Sequence, residues 1–391
     1  MLLLLLITAA AAVVAGSFTG VATLPQQRKA HARAATLLES SSLASSSLPD
    51  LNYGLSDEEF HDWLMEEVDD CPGRKTYSSV YEDSVKAIVQ WRKRYRGNPL
   101  LWKRIFKKER VVKELIESAP IIESVKRFVE SNNRESDEKI TVIDLCSGKG
   151  YLSMFLSEIL PEEKVERFVL VDKAWAIASN KTLELKPHHM NWDHIYGLNP
   201  RTDESYFLTW PILLYTSKQD LKQSCNQRQM KKHLFEKTAG PIILLAVHLC
   251  GTLSIKAVDM FNNNNNVKLF ALKPCCLPQM VYARRGDVFR IGNHEFDAKE
   301  VCSNGSFNKK SWDGPPRWHL QPKFDLWAEN LFMGIDVANS EEPITTGRRA
   351  TIASDDGSKA KEEIIIQVDG GFQNTYIFAE RQPVTRELWD I

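Results

Sequence analysis

Residues 139–161 constrain the fold more than any other stretch of the chain. An apolar run, KITVIDLC, leads into the loop SGKG and then into the helical pattern YLSMFLSEILP. A continuous apolar run is typical of a parallel strand covered on both faces. Gly148 and Gly150 allow backbone to approach a ligand that side chains would exclude. The stretch therefore predicts a strand–loop–helix unit with a ligand site at the carboxyl end of the strand.

Further strands and helices alternate after this unit. The predicted strands lie in RFVLVDK, WPILLYTSKQDLK, GPIILLAVHLCG and VKLFALKPCCLP, and the predicted helices in AWAIASNKTLEL and TLSIKAVDMF. The closing segment EEIIIQVDGGFQNTYIFAER predicts a hairpin around DGG. Together these patterns predict an α/β, Rossmann-like fold with a mostly parallel sheet, a C-terminal antiparallel hairpin and N-terminal helices. The asparagine run at 262–266 is predicted to be a solvated loop tip.

The 391 residues divide into four regions. Residues 1–22 resemble a signal segment, because they are apolar and end in small residues, and residues 23–50 form a Ser/Ala-rich, transit-like linker. This predicts entry into the secretory pathway, then a plastid or other organelle, or else an endomembrane lumen or secretion, with no stable membrane span after processing. Residues 51–135 are predicted to be helical. Residues 136–391 form the α/β domain, with 279–360 as an irregular insertion. The oligomeric state stays open.

The helical region carries a basic stretch at residues 91–113. It contains ten Lys/Arg and one acid, Glu109, which gives a net charge of +9. Four aromatic residues interleave with these charges: Trp91, Tyr95, Trp102 and Phe106. Cations that neutralise phosphates, together with aromatic rings on which bases can stack, predict RNA binding. The alternative is a helix with its aromatic side chains in the core and its charges in water.

Two local signals bear on the helix ends in this region. Ser56 and Glu59 have the spacing of a capping box, and Pro120 is predicted to break or restart a helix. The seven cysteines are an odd number without regular spacing, so they do not predict a disulfide framework.

Acidic residues at the strand ends select the ligand. Asp144 would repel a pyrophosphate placed over the glycine loop, and Ser153 stands at the third glycine of the dinucleotide fingerprint. The P-loop order of residues is absent. S-adenosylmethionine carries an ammonium and a sulfonium instead of phosphate, so an acid suits it. Asp172, 24 residues beyond Gly148, ends the second strand, where a carboxylate can accept hydrogen bonds from ribose hydroxyls. S-adenosylmethionine is therefore favoured over NAD or FAD.

The motifs DLCSGKGYLS, LVDK, TSKQDLK, HLCGTLS and LKPCCLP occur in this order. They resemble a class I S-adenosylmethionine-dependent methyltransferase family with HLCG and PCC motifs, which is similar to the tRNA 2′-O-methyltransferases. The resemblance covers about residues 100–280 and the closing hairpin. It implies that the methionine part contacts Asp144, Ser147, Gly148 and Gly150, that the ribose contacts Asp172 and that the adenine amino group contacts Asp220. Cys146 of the same loop is a further candidate cofactor-binding residue. Cys146 stands where the family usually has glycine, and the chain lacks the zinc module that the tRNA enzymes carry.

The chemistry implied is methyl transfer, which needs a positioned nucleophile and, for a hydroxyl, a base. The Asn/Asp-Pro-Pro-aromatic segment of amino-group methyltransferases is absent, and VHLCG follows the fourth strand instead. His248 is therefore the candidate base, and a structural histidine at the sheet end is the alternative. Lys273 is a candidate for orienting a phosphate or an oxyanion; otherwise it is a solvated lysine.

Cys250, Cys275 and Cys276 complete the catalytic candidates. They could line the pocket, act as nucleophiles or bind a metal together with His248, although buried cysteines are more often small packing residues. No metal site is predicted. The sequence favours an S-adenosylmethionine-dependent methyltransferase acting on a ribose hydroxyl of RNA. Two alternatives stay open: a small-molecule or protein methyltransferase, in which residues 279–360 build a lid, and a non-catalytic binding protein.

Overall fold

The computed structural model of the chain describes residues 54–131, 138–176, 190–308, 311–314, 317–336, 344–348 and 375–381. The signal-like and transit-like segments therefore lie outside the described residues, as does most of the predicted helix AWAIASNKTLEL. Within the described part of the chain, no helix combines the length and apolarity needed to cross a bilayer.

Four helices precede the sheet. They are α1 (Asp57–Asp69), α2 (Ser78–Tyr95), α3 (Pro99–Ile105) and α4 (Lys108–Ser131). The capping box is confirmed, because Ser56 Oγ accepts from the Glu59 N–H at 3.1 Å and the Ser56 N–H donates to Glu59 Oε2 at 2.7 Å. The expected break at Pro120 is wrong: α4 continues through it. Proline removes only one N–H donor, and the apolar neighbours Ile121 and Ile122 are fully buried, so packing holds the helix together.

Seven strands form the central sheet, and α-helices connect most of them. The α/β elements are β1 (Ile140–Leu145), α5 (Tyr151–Ile159), β2 (Val165–Val171), α6 (Asp193–Tyr196), β3 (Leu213–Ser217), α7 (Ser224–Met230), β4 (Ile242–Cys250), α8 (Leu253–Asn262) and β5 (Val267–Cys276). Short 3₁₀ and π turns lie at Tyr206–Thr209 and Lys231–Phe235.

The segment from 279 to 360 was expected to be irregular, but its described residues are largely ordered into short elements. They are α9 (Met280–Arg285), β6 (Val288–Ile291), β7 (His294–Asp297), α10 (Ala298–Val301), β8 (Ser306–Asn308), β9 (Ser311–Asp313), a 3₁₀ turn (Arg317–Leu320), α11 (Gln321–Met333) and β10 (Ile344–Arg348). Strand β11 (Ile377–Arg381) closes the described chain. Strands β6 and β7 form an antiparallel hairpin.

The strand order in the sheet is β10-β11-β5-β4-β1-β2-β3. The pairs among β1 to β5 are parallel, whereas β11 runs antiparallel to both β5 and β10. This confirms the predicted α/β, Rossmann-like fold with its N-terminal helices. The antiparallel partner of β11 is β10, at 344–348; the first strand of the predicted DGG hairpin lies outside the described residues.

Both faces of the sheet are buried, as the apolar strands require. Successive side chains of a strand alternate between the faces, so Val142 packs with the N-terminal helices and Ile143 packs on the opposite side. The core on the first side holds α1 to α5, and the core on the second holds α7, α8 and the elements after β5. The strand order reverses between β1 and β4, where ligands bind in open α/β sheets.

The asparagine run at 262–266 is not the solvated tip that its composition predicted. Asn262 Nδ2 donates to the Gly334 carbonyl at 2.8 Å, Asn264 is buried, and Asn266 Nδ2 donates to the Phe235 carbonyl. The run therefore connects α8 to the elements on the second face of the sheet.

Candidate active site

The loop after β1 contains three residues in the left-handed backbone region. Cys146, Gly148 and Gly150 have φ values of 54°, 55° and 85°. A Cβ on Gly150 would lie 2.4 Å from the Leu170 side chain, so glycine is required there, whereas a Cβ on Gly148 would have no atom within 4 Å. The left-handed conformation is strained at Cys146, because Cys146 has a Cβ and glycine does not. Burial, with Asp172 and Asp144 nearby, raises the pKa of its thiol to about 12, so it stays protonated.

Asp144 is buried one residue before the end of β1. Ser153, the residue in place of the third fingerprint glycine, donates its Oγ–H to Asp144 Oδ2 at 2.7 Å. Burial raises the pKa of Asp144 to about 7, because this one hydrogen bond and the nearby His248 offset only part of the desolvation. A cation bound at this end of the sheet would favour the charged carboxylate.

Asp172 follows β2 and links two loops. Its Oδ2 accepts from the Gly148 N–H at 3.2 Å, and its Oδ1 accepts from the Ala174 N–H at 2.8 Å. Asp220 follows β3, the parallel neighbour of β2, and its Oδ1 accepts from the Lys222 N–H at 3.0 Å. Each Asp172 oxygen accepts one such bond and has a second lone pair for a ligand hydroxyl.

The residues around these loops fit S-adenosylmethionine. Among the described residues, no group hydrogen-bonds to the buried atoms Ser147 Oγ and Gln219 Oε1. Buried polar atoms normally have partners, so these two atoms and the open space at Gly148 have the properties of a ligand cradle. Asp172 suits the ribose and Asp144 suits the cationic methionine part. The structure brings all seven predicted cofactor residues to the carboxyl ends of β1, β2 and β3.

His248 lies in a bulge of β4. Val247 pairs with Lys273 and Leu249 with Pro274, so His248 is left outside the ladder, and its φ is 63°. A bulge re-aims a side chain and is common beside active sites. Its Nε2 lies 3.4 Å from Glu114 Oε2 and 3.6 Å from Glu117 Oε2 on α4. Both contacts are within ion-pair distance, but their length or alignment does not make them hydrogen bonds. Two carboxylates of α4 therefore face the imidazole.

Glu117 connects His248 to two lysines. Lys113 Nζ lies 2.7 Å from Glu117 Oε2, and Lys273 Nζ lies 3.3 Å from Glu117 Oε1. Burial opposes ionisation of Glu117, but Lys273, Lys113 and His248 outweigh it and hold its pKa below the usual value. Tyr376 before β11 adds a hydroxyl hydrogen bond to the Glu117 carbonyl at 2.9 Å. This network anchors α4 over β4, β5 and β11.

Lys273, the candidate for orienting a phosphate or an oxyanion, is buried against Glu117, and burial lowers the pKa of its ammonium. The alternative of a solvated lysine is therefore wrong. The contact of the ammonium with Glu117 links Lys273 to the carboxylate that faces His248. A role of Lys273 toward a substrate stays a prediction.

The three cysteine candidates meet at the ends of β4 and β5. Cys250 Sγ lies 3.3 Å from Cys275 Sγ, which lies 3.6 Å from Cys276 Sγ. Hydrogen bonds with Cys275 and Cys276, followed by the nearby His248 and Lys222, lower the pKa of Cys250, while the same thiol contacts and burial raise that of Cys275. His248 faces the glutamates rather than this cluster, so the metal site with His248 that the sequence left open is not formed. None of the seven cysteines forms a disulfide bond.

The aromatic half of the predicted RNA footprint is wrong. All four aromatic side chains of residues 91–113 are buried in the core: Trp91, Tyr95, Trp102 and Phe106. Several cations of the stretch are paired with acids, such as Arg94 with Glu158 at 2.6 Å and Lys108 with Glu67 at 2.9 Å. The stretch spans α2 to α4 with its aromatic face inward, so it offers no stacking platform.

Three cations of the basic stretch, Arg104, Lys107 and Arg110, form a cluster with Lys149 of the cofactor loop. Sequence reasoning identified the stretch but missed its contact with Lys149. Burial and the three neighbouring cations lower the pKa of Lys149. Lys149 Nζ donates to the Arg104 carbonyl at 3.4 Å, which ties the glycine loop to the last turn of α3. Glu114 and Glu117 were also missed, and the available signal was that they are acids three residues apart in a basic helix.

The strand order defines a Rossmann-like domain, and the acidic strand ends and the buried polar atoms mark a candidate ligand site at its switch point. Residues 110–282 match the model of a family described as a methyltransferase domain. This part of the chain is similar to that family, and the match supports a class I methyltransferase. None of the curated proteins compared with the chain matches it.

Proposed function

We propose that the protein is an S-adenosylmethionine-dependent methyltransferase that methylates a hydroxyl, with RNA ribose as the favoured substrate and His248 as the base. The observation that supports this most is the imidazole of His248, held 3.4 Å from Glu114 Oε2 beside the cofactor loop. S-adenosylmethionine, when bound, supplies an electrophilic methyl group. Ser147, Gly148, Gln219 and Asp172 would hold it.

The role of the protein residues follows from their charges. A hydroxyl oxygen that forms a bond to the methyl carbon must lose its proton, and His248 accepts it. Glu114 and Glu117 favour the resulting imidazolium, because carboxylates a few ångströms away stabilise a positive charge. Lys273 and Lys113 keep Glu117 ionised for this task.

The basic cluster Arg104, Lys107, Arg110 and Lys149 supports a phosphate-bearing substrate. It lies at the cofactor loop, so phosphates bound there would bring a neighbouring hydroxyl toward the cleft. A second candidate is methylation of a small anionic molecule. The burial of the four aromatic residues favours it, because it removes the stacking contacts that extended single-stranded RNA would use.

The cofactor proposal is tested by calorimetric titration of the full chain with S-adenosylmethionine, beside Asp172→Ala. We expect binding by the wild-type chain and at least a roughly 10-fold loss in the variant, because a ribose hydrogen bond to a charged group contributes about 1.5–3 kcal/mol. A folded wild-type chain that does not bind would overturn the proposal.

The substrate proposal is tested with methyl-labelled S-adenosylmethionine, total RNA and DNA of matched sequence. Transfer to RNA but not to DNA is the expected result, because only RNA has the 2′-hydroxyl. Transfer to both would indicate base methylation. Transfer to neither, with label in a small-molecule extract, would favour the second candidate. Cofactor binding without any transfer would indicate a non-catalytic binding protein.

A further inference from the structure

The cysteine cluster at the ends of β4 and β5 has the composition of a metal site. The Sγ atoms of Cys250, Cys275 and Cys276 all lie within 4.8 Å of one another. Cys275 is buried, Cys276 is half-buried and Cys250 is exposed. The cluster therefore joins the protein interior to the solvent at the same end of the sheet as the cofactor loop.

The backbone departs from regular strand geometry to bring these thiols together. Consecutive side chains of a strand point to opposite faces, yet the thiols of Cys275 and Cys276 are in contact at 3.6 Å. The register between β4 and β5 shifts twice near this point, and Cys250 pairs with Cys276. The first shift is the bulge at His248. The left-handed conformation of His248 therefore directs the imidazole toward α4 and turns the end of β4 toward β5.

Three convergent thiols suit a thiophilic d¹⁰ cation. Zinc bonds to thiolate sulfur at about 2.3 Å in a tetrahedral arrangement, which places its sulfur ligands about 3.8 Å apart. The contacts of 3.3 and 3.6 Å require only a small opening of the cluster. We propose that Cys250, Cys275 and Cys276 form a zinc site whose fourth position is open to solvent beside exposed Cys250. The site does not depend on the proposed methyl transfer.

The second cluster of ligand-type residues, Glu114, Glu117 and His248, is a poorer cation site. Its ligand atoms also lie within 4.8 Å of one another. However, the ammonium groups of Lys113 and Lys273 lie 2.7 and 3.3 Å from the two Glu117 oxygens. These cations already neutralise the carboxylate and would repel a metal. The three cysteines, in contrast, are soft ligands, which favour zinc over magnesium or calcium.

Zinc binding has a defined proton balance. Each ligating thiol loses its proton as its sulfur–zinc bond forms, and the buffer takes the protons. No oxidant is involved. Formation of a Cys250–Cys275 disulfide, in contrast, would need an oxidant to accept two electrons and would leave Cys276 as a thiol.

The experiment uses the full chain, reduced and stripped of metal, which is then titrated with zinc chloride against a chromophoric chelator. Cys250→Ser removes one proposed ligand. Cys225→Ser is the matched control, because Cys225 is also exposed but lies on α7, outside the cluster. Cobalt(II) replaces zinc in a parallel titration, since its thiolate charge-transfer absorption reports sulfur ligation directly. Cys276→Ser provides a second ligand variant in case Cys250→Ser fails to fold.

We expect one zinc per chain for the wild type and for Cys225→Ser. Because binding releases protons that the buffer takes up, the binding heat measured by calorimetry should differ from one buffer to another. Cys250→Ser or Cys276→Ser should bind at least roughly 100-fold more weakly, because losing a ligand exceeds the 10–100-fold cost of losing an outer-shell partner. Folding is checked by thermal unfolding followed by circular dichroism. The proposal is overturned if the folded wild type binds no stoichiometric zinc, if Cys250→Ser binds as tightly as the control, or if cobalt gives no thiolate band. A reduced chain that binds no zinc but forms a Cys250–Cys275 disulfide on oxidation also overturns it, in favour of a redox pair.

Discussion

Cys146 and His248 flank the candidate site in left-handed backbone conformations. Their φ values are 54° and 63°. Such conformations cost non-glycine residues on the order of 1–3 kcal/mol and persist only where surrounding structure enforces them. Histidine and asparagine tolerate the left-handed region better than most residues. Asparagine at position 248 should therefore keep the left-handed turn while removing the imidazole.

His248→Asn should lower the rate constant of methyl transfer by roughly 10²–10⁴, the usual contribution of a general base. Asparagine keeps the left-handed turn but does not accept the proton. The affinity for S-adenosylmethionine, measured by calorimetry, should change much less than the rate, because His248 is not among the residues proposed to hold the cofactor. A variant that retains the wild-type rate would exclude His248 as the base.

Asp144 should make stability depend on pH. Burial raises its pKa from 3.8 to about 7, so the folded chain holds a proton that the unfolded chain releases above its lower pKa. This contribution to stability is present below about pH 4 and is lost as the pH rises to about 7. Asp144→Asn imitates the protonated form, so the variant should gain stability relative to wild type across that window.

The measurement is urea unfolding of both chains between pH 4 and 8, without cofactor. The gain of Asp144→Asn over wild type should increase with pH by up to a few kcal/mol. Saturating S-adenosylmethionine should reduce the difference, because a bound cation favours the carboxylate of the wild type. A difference that does not change with pH would contradict the assignment.

The helices α1 and α2 show how a basic stretch can be structural. Arg92 on α2 is buried, hydrogen-bonds to Asp57 and the Leu55 carbonyl, and stacks over the Phe60 ring with 4.8 Å between its Cζ and the ring centroid. Lys93, the next residue, is exposed. Adjacent positions of one helix therefore carry a buried arginine that stabilises the fold and a lysine exposed to solvent.

Arg92→Glu should destabilise the fold by about 3–5 kcal/mol, since it places a carboxylate against Asp57 where a buried ion pair stood. Lys93→Glu, the matched control, should change stability by less than about 0.5 kcal/mol, as exposed substitutions usually do. Chemical unfolding of both variants measures this. Equal effects would mean that Arg92 does not anchor α2.

The whole molecule concentrates its functional charge where the N-terminal helices meet the sheet. The basic cluster is formed by Arg104 of α3, Lys107, Arg110 of α4 and Lys149 of the glycine loop after β1. Lys149 lies close to the other three in space although it is 39 positions beyond Arg110 in the sequence. Acidic strand ends lie on the cofactor side of the same cleft. This separation of charge suits a cationic cofactor and an anionic substrate.

The double variant Lys107→Glu/Arg110→Glu should weaken RNA binding and flatten its salt dependence, because each lost phosphate contact reduces the slope of log K against log salt by about 1 or less. Both residues are exposed, so the fold should be kept. Lys93→Glu is again the control. Fluorescence anisotropy with labelled RNA at several salt concentrations measures the effect. An unchanged slope would place any RNA contact elsewhere.

The α/β architecture, the parallel strands and the loop at the end of β1 could all be predicted from the amino-acid sequence. These follow from local physics: apolar runs need cover on both faces, and Gly150 has no room for a Cβ beside Leu170. The acidic residues at the strand ends could also be predicted, since their places in the chain fix their places at the sheet edge.

Which charges are buried in ion pairs and which face the candidate site could be seen only in the folded chain. Lys273 and Arg92 are buried in ion pairs, Glu114 and Glu117 cross from α4 to face His248, and three cysteines from two strands converge. The physical reason is that a charge or a thiol acquires its role from partners distant in sequence. The burial and distances that set those interactions exist only once the helices pack on the sheet.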